Sequence, residues 1–344
     1  MEQNFTASFQ TSTFAFLPRP TLLWHAIIPG MILVIGGTGF IGRALVRHLV
    51  ENGYPVRLLI HPSPHSPNLP AGIPVEVAVS SLSDERGLRS AMVDVTTVYH
   101  LATAEWQGVR ASLLENDIQG TRFIAQAAAN ASVQQLFYLS HLGADRASAF
   151  PTLKAKAIAE EAIRRSGVNY TIIRSGIVFG PEDHFTTGLA RIISISPFFF
   201  LVPGDGNTLL QPLWVEDLAT ALTWALEDPD LGGQTISIGG PEFLTFNEIL
   251  TTVLEVIGKR RQLLYMHPPY LRALTVFLEH IFPGLPTTVY WLDYLAANRT
   301  GSLDTITRTF NLMPSRFSHR LDYLHGQTWP TALRRSLTRR PKAG

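Results

Sequence analysis

Five apolar residues, 31–35, run straight into Gly36-Gly37-Thr38-Gly39-Phe40-Ile41-Gly42, and the segment that follows places Ile41, Ala44, Leu45 and Leu49 on one helical face. A strand that feeds a helix through three spaced glycines has few folds open to it. Gly36 permits the tight turn, Gly39 lets the backbone approach a pyrophosphate, and Gly42 lets helix and strand pack closely. The helix N-terminus then turns its amides and partial positive charge toward phosphates. The spacing predicts a helix over 40–52, ended by Gly53 in the left-handed conformation, and a dinucleotide cradle ahead of it. A merely tight strand-to-helix turn is the alternative reading.

The rhythm continues down the chain. Apolar segments at 56–60, 74–79, 97–100, 136–140 and 170–174 alternate with helical patterns at 85–92, 111–130 and 152–166. Strands that are apolar throughout belong to a sheet covered on both faces, and βαβ alternation makes that sheet parallel and right-handed. The expected fold is α/β: a doubly wound parallel sheet of Rossmann type with a smaller, mostly helical C-terminal cap, its helices near 215–227, 245–258, 270–282 and 288–297. The boundaries read as an extension over 1–30, a nucleotide-binding core over 31–180, a C-terminal region over 181–330 interleaved with the core, and a basic tail over 331–344. Residues 1–30 lack a basic start and a long apolar stretch. Met31 at the first strand reads as the natural start.

Composition removes whole classes of function. Hydrophobic residues make up 46% and charged residues 16%, so much of the chain is buried and disorder throughout is excluded. Lys and Arg (28) nearly cancel Asp and Glu (27), so no global field draws nucleic acid to the chain and none is expected as a partner. The absence of cysteine removes disulfides, thiolate metal sites and thiol nucleophiles. No metal site is expected, because Pro62 and Pro64 keep His61 and His65 from forming a helical ligand pair. The densest apolar stretch, 193–202, carries Pro197 and falls short of the roughly 18–20 residues of a bilayer span. A cytoplasmic protein, possible peripheral attachment included, is the expectation.

The end of the second strand discriminates between dinucleotides, an acid there holding a ribose 2′-hydroxyl and a basic residue accommodating a 2′-phosphate. The position carries His61, with Arg43 just past the loop. The missing carboxylate favours NADP(H) over NAD(H). A surface histidine and a solvated arginine are readings of similar weight.

Further segments join the glycine loop: Val98-Tyr99-His100-Leu101-Ala102, Asn116-Asp117-Ile118-Gln119-Gly120-Thr121, Tyr138-Leu139-Ser140, Arg174-Ser175-Gly176-Ile177-Val178-Phe179-Gly180-Pro181 and Val215-Glu216-Asp217. Together they resemble the atypical and extended short-chain dehydrogenase/reductase superfamily, epimerase/dehydratase-like, over about 31–324. Ser140-His141-Leu142-Gly143-Ala144-Asp145 ahead of the Lys156 helix, with Gln211-Pro212 and Asn298-Arg299, is similar to the NAD(P)H-binding accessory subunit of respiratory complex I and its bacterial relatives. The resemblance implies cofactor contacts from Gly36, Thr38, Gly39, Phe40, Ile41, Gly42, Arg43, His61, Ser81, Leu101, Ala102 and Lys156. Ser81 stands where the family commonly has Asp.

Family chemistry uses Ser, Tyr and Lys, with Tyr and Lys four apart on one helix. The resemblance puts Ser140 at the serine and Lys156 at the lysine, which leaves Thr152 at the tyrosine position; the other register pairs Phe150 with Lys154. Neither supplies a phenol, so classical proton transfer is not expected. Tyr138, His141, Asp183 and His184 are the substitute groups near the cleft, with core packing and exposed loops as their plainer readings. In the cap, 197–203 with Trp214 reads as an apolar pocket for a quinone-like or lipid substrate, or as core. Tyr290, Trp291 and Tyr294, with Leu271, Leu274 and Phe277, read as a partner or membrane-surface patch, or as packing.

Three functions remain open on the sequence. One is a nucleotide-binding protein with weak or no turnover, within a complex or in redox sensing. Another is an active reductase, epimerase or dehydratase using Ser140, Thr152 and Lys156 on an apolar carbonyl or sugar-like substrate. The last is a dinucleotide-sensing regulatory protein.

Overall fold

β1 (Met31–Ile35) enters α1 (Phe40–Glu51), and the alternation continues through β2 (Val56–Ile60), β3 (Glu76–Val79), α2 (Glu85–Ala91), β4 (Val95–His100), α3 (Thr121–Asn130), β5 (Gln135–His141), α4 (Pro151–Arg165) and β6 (Tyr170–Ser175). The computed structural model describes residues 30–327 apart from 64–68, 70, 71, 106, 108–111, 197 and 282–288. The extension up to residue 29, Pro197 and the basic tail lie outside the described residues.

The C-terminal half adds β7 (Val178–Phe179), α5 (Thr186–Ile195), β8 (Phe199–Pro203), β9 (Leu209–Leu210), β10 (Leu213–Trp214), α6 (Val215–Trp224), β11 (Gln234–Ile238), β12 (Leu244–Thr245), α7 (Phe246–Val256), β13 (Gln262–Met266), α8 (Pro268–Ile281), α9 (Val289–Tyr294) and α10 (Thr305–Phe310). Seven strands form one sheet in the order β3-β2-β1-β4-β5-β6-β11, every neighbouring pair parallel. The strand order reverses between β1 and β4, and such a sheet opens its ligand crevice at that switch point, beyond the carboxyl ends of the strands.

Strand alternation explains the two-sided core. Ile32 and Val34 face the layer that holds Leu45, Leu49 and Leu222, while Leu33 and Ile35 face Leu88, Ile124 and Ile163. Tyr99 stacks on Phe137 with ring centroids 4.7 Å apart and donates its hydroxyl to the Leu222 carbonyl at 2.6 Å, so the aromatic ring is buried without leaving its oxygen unpaired. A separate core behind α5, α7 and the parallel pair β8 and β13 gathers Phe200, Val202, Phe246 and Leu250.

Several elements depart from the sequence expectation, among them α5 and the strand pairs β7/β10, β9/β12 and β8/β13 in a cap expected to be mostly helical. The helix expected over 111–130 is instead a π-helical segment, Leu113–Gly120, leading into α3; π-turns are rare and often sit at functional sites. The sequence also gave no separate sign of β11, which extends the sheet beside β6.

Candidate functional site

Gly36 has φ +89°, and a Cβ there would lie 2.7 Å from the backbone nitrogen of Ala102. The bare glycine therefore lets the end of β4 close over the turn, where the Leu101 amide donates to the Ile35 carbonyl at 2.8 Å. At Gly42 a Cβ would lie 2.1 Å from the Gly36 carbonyl oxygen. Both glycines are thus required by backbone packing. No side chain caps α1, and no acid stands in its first turn, so its leading amides look into open space. Two cavities flank them. One, ≈ 290 Å³, is lined by Thr38, Gly39, Phe40, Ile41, Leu101 and Lys156 among others; the other, ≈ 220 Å³, lies over the end of β2 and is lined by Thr38, His61, Ser80, Leu82, Ala102 and Asn116. A split cleft centred on uncapped helix amides fits a dinucleotide, with pyrophosphate at the loop and a base at each side.

Over the end of β2 and beside the loop, two of the expected cofactor contacts are engaged with neighbours instead. Ser81 bonds Ser83 within its own turn, and Ser80 and Leu82 are the residues that line the cavity. Arg43 donates to the Thr38 carbonyl at 3.1 Å and pairs with Glu182 at 2.6 Å, so its charge is already engaged beside the loop. His61 does line the cavity, and no carboxylate stands among the described residues around it.

The other side of the loop concentrates ionisable groups. Lys156 is 3% exposed and its Nζ lies 3.4 Å from Asp117, itself 1% exposed. Asp117 also accepts from the Thr103 hydroxyl at 2.6 Å and the Ala104 amide at 3.0 Å, so the π-helical segment, Lys156 and the loop after β4 are tied at one carboxylate. Burial opposes the Lys156 charge, but Tyr138, Glu105 and Asp117 hold it protonated above the ordinary lysine range. Tyr138 lies below this ammonium, 5.5 Å from Nζ to ring centroid; its hydroxyl has no hydrogen-bond partner, and burial pushes its pKa up. His100 donates or accepts at Thr121, and burial together with the Lys156 charge pushes its pKa down to about 3.

Alternation at the end of β5 decides which side chain enters the cleft. Leu139 and His141 line it, and Ser140 does not. The Ser140 hydroxyl donates to Glu160 at 2.7 Å, and Arg174 and Arg164 donate to the same carboxylate, a buried network that joins β5, α4 and β6. His141 instead bonds Glu105 at 2.8 Å. Glu105 is buried, which would raise its pKa, but the charges of His141 and Lys156 hold it below the ordinary carboxylate range. Thr152, one turn before Lys156, is half-buried and does not line the cleft.

Tyr290 and Tyr294, read from sequence with an outer patch, are buried and line the cleft. Arg299 lies over the Tyr294 ring at 5.3 Å and donates to the Tyr294 and Asp293 carbonyls, fixing that wall. Asp183 is spent on the start of α5, where it accepts from Thr186 and Thr187. His184 lines the cleft, and burial lowers its pKa.

A family model described as NAD(P)H-binding matches residues 36–192, and the NAD dependent epimerase/dehydratase family matches residues 152–239. A putative dihydroflavonol 4-reductase of Synechocystis is 31% identical over 242 residues, 60% of this chain and 69% of that protein. The chain belongs to the atypical short-chain dehydrogenase/reductase superfamily. Its relatives include NADH dehydrogenase [ubiquinone] 1 alpha subcomplex subunit 9, mitochondrial, of Arabidopsis thaliana, 26% identical over 87% of this chain and 77% of that protein. The UDP-glucose 4-epimerase of Thermus thermophilus in complex with NAD has the same fold, with a TM-score of 0.65 at 22% identity, covering 86% of this chain and 97% of the other. The NAD(P)H-binding match, which begins at Gly36, supports a nicotinamide dinucleotide as the cofactor. Among the described residues no helix is long and apolar enough to cross a membrane.

Proposed function

We propose that the chain holds NADP(H), in preference to NAD(H), as a resident group with weak or no classical dehydrogenase turnover, in a redox-sensing role or as a member of a larger assembly. The observation that carries this reading is the state of Lys156: it reaches the cleft, but its charge is committed to Asp117 and the position one turn earlier is Thr152. An aliphatic hydroxyl is a far weaker acid than a phenol, so the family's usual relay lacks its proton donor. Support for an assembly comes from the relatives named as NADH dehydrogenase subunits. Support for NADP(H) comes from His61 and the lack of a carboxylate beside it. The bound nicotinamide would supply hydride chemistry; Gly36–Gly42 would bind its phosphates and Lys156 would order the ribose side.

A second reading, an active reductase, epimerase or dehydratase, draws on a specific observation. His141 bonds Glu105 in the cleft beside Lys156, and a carboxylate-oriented histidine is a competent general acid. In that reading this pair, rather than Ser140 and Thr152, moves the proton.

Fluorescence titration of the full chain with NADPH and with NADH, followed by a turnover assay against a panel of carbonyl substrates, separates the two. Saturable binding, tighter for NADPH and without net consumption, is the expected result. Sustained NADPH consumption would overturn the first reading in favour of the second, and no saturable binding of either nucleotide would overturn both.

A further inference from the structure

The C-terminal layer contains a second cavity, ≈ 250 Å³, that the dinucleotide does not require. Its walls are almost wholly carbon, with Phe200, Phe246, Leu271, Trp291 and Leu292 among them, and His184 lines both this cavity and the dinucleotide cleft. Three of its lining residues, Ile195, Phe199 and Leu274, are also exposed at the surface, so they form its mouth.

What surrounds the mouth is unusual for a water-facing surface. On α8, Leu271, Thr275 and Glu279 are buried at i, i+4, i+8, whereas Tyr270, Leu274, Phe277 and Ile281 are exposed at i, i+4, i+7, i+11 and fall in one stripe. Tyr270 is 73% exposed, Phe277 61% and Ile281 50%, and Phe198 beside the mouth is 76% exposed. The helix's one acid is turned inward, its carboxylate taking the Val289 amide. Lys259 and Arg260 are exposed just before β13, whose first residue donates to the Phe198 carbonyl at 3.0 Å, so a basic pair stands at the edge of the apolar face. Arg261 is turned to the Ile193 carbonyl. An aromatic-rich helical stripe flanked by cations is the pattern of a helix that lies in a lipid interface.

We propose that this face docks on an anionic lipid surface, and that an apolar chain enters the cavity from it between Phe199 and Leu274, bringing its polar end to His184 beside the cleft. The site goes beyond the dinucleotide reading and does not depend on turnover. A second protein on the same stripe would explain the exposed apolar residues but not an apolar cavity lined by Phe199 and Leu274 at the surface and by His184 within.

The test is flotation of the full chain with vesicles of phosphatidylcholine, with and without phosphatidylglycerol, at low and high salt. Binding to the phosphatidylglycerol vesicles, weakened by salt, is expected. Tyr270→Glu with Phe277→Glu alters only exposed side chains and is expected to lower partitioning by roughly tenfold or more; Lys259→Gln with Arg260→Gln is expected to cost roughly fivefold per cation. Vesicles with brominated acyl chains are expected to quench tryptophan fluorescence, and Trp291→Phe to remove most of that quenching. No flotation, or flotation unchanged by Tyr270→Glu with Phe277→Glu, overturns docking. Flotation without quenching at Trp291 overturns chain entry. Concentration-dependent self-association that the Glu variant abolishes, without vesicle binding, assigns the face to a second copy and overturns the proposal. NADPH titration of the same samples is expected to be unchanged by all four surface substitutions, so a failure of the cofactor reading shows separately.

Discussion

Gly39→Ala isolates the phosphate cradle from the fold. At Gly39 the backbone has φ −75° and ψ 174°, which alanine adopts freely, and its Cβ would meet only the Gly36 carbonyl oxygen, at 3.3 Å. The stiffer unfolded chain contributes about 0.4–1 kcal/mol, and replacing glycine at a helix N-cap costs about the same in the opposite sense, so stability is expected to stay near that of the parent. The methyl instead projects into the cleft over the α1 amides. Losing one amide-to-phosphate hydrogen bond, about 1.5–3 kcal/mol for a charged acceptor, weakens binding roughly 10- to 150-fold. Gly42→Ala makes the contrast, because its Cβ would lie 2.1 Å from the Gly36 oxygen and 2.7 Å from the Gly37 Cα. Backbone meets backbone there, and overpacking is expected to cost about 1–3 kcal/mol or more. Thermal unfolding and calorimetric NADPH titration read the two effects apart. If Gly39→Ala binds NADPH as the parent does, the pyrophosphate does not lie on this loop and the reasoning fails.

Ser140→Ala is expected to lower stability by about 1.5–3 kcal/mol through its lost bond to the Glu160 carboxylate while leaving NADPH affinity unchanged; weaker binding with an unchanged melting temperature would return Ser140 to the cleft. Lys156→Met leaves Asp117 and Glu105 buried without their cation and is expected to cost about 3–5 kcal/mol, read as a lower urea midpoint; a parental midpoint would show that the buried pair contributes nothing. His100 has its pKa lowered from 6.5 to about 3, so between those values the unfolded chain binds a proton that the native state does not. Stability therefore falls as pH drops from 6.5 toward 3, by at most about 1.4 kcal/mol per pH unit from this group; His100→Gln is expected to flatten that limb in urea denaturation, and an unchanged slope would place the acid sensitivity elsewhere.

The sheet was legible because its signals are local and steric. A glycine loop between an apolar strand and an amphipathic helix admits few geometries, and 31–35 and 56–60 were bounded as the structure has them. Lys156 was placed by the family resemblance of its helix, and the structure has it lining the cleft. The phase of β5 was not: period-two alternation sends either Ser140 or His141 into the cleft, and the choice rests on the Glu160 network, in which Ser140 and Arg174 lie 20 and 14 residues from Glu160 with no periodicity to mark them. Glu105 follows β4 in a stretch with no repeat, so nothing local marks it. Tyr290 and Tyr294 are i, i+4 on a six-residue helix; their spacing shows a common face but not that the face is covered.

The titratable groups around the cleft narrow what chemistry the fold can support. Lys156 is held protonated above its ordinary range, the Tyr138 phenol is pushed up by burial, and His100 is pushed down to about 3. His184 is lowered by burial as well. Each of these shifts keeps its group in one protonation state at neutral pH, which suits a rigid nucleotide site and disfavours a proton relay, since a general acid works best with a pKa near the operating pH. His141 remains, hydrogen-bonded to a carboxylate held ionised. In the reductase reading proposed above, proton supply is assigned to the His141–Glu105 pair on the strength of their hydrogen bond in the cleft. Glu105→Gln keeps a hydrogen-bond acceptor for His141 and removes the charge, so the binding and reductase readings diverge at one substitution. A binding protein retains its NADPH affinity and loses stability, whereas a reductase loses turnover and shifts its pH profile while still binding the nucleotide.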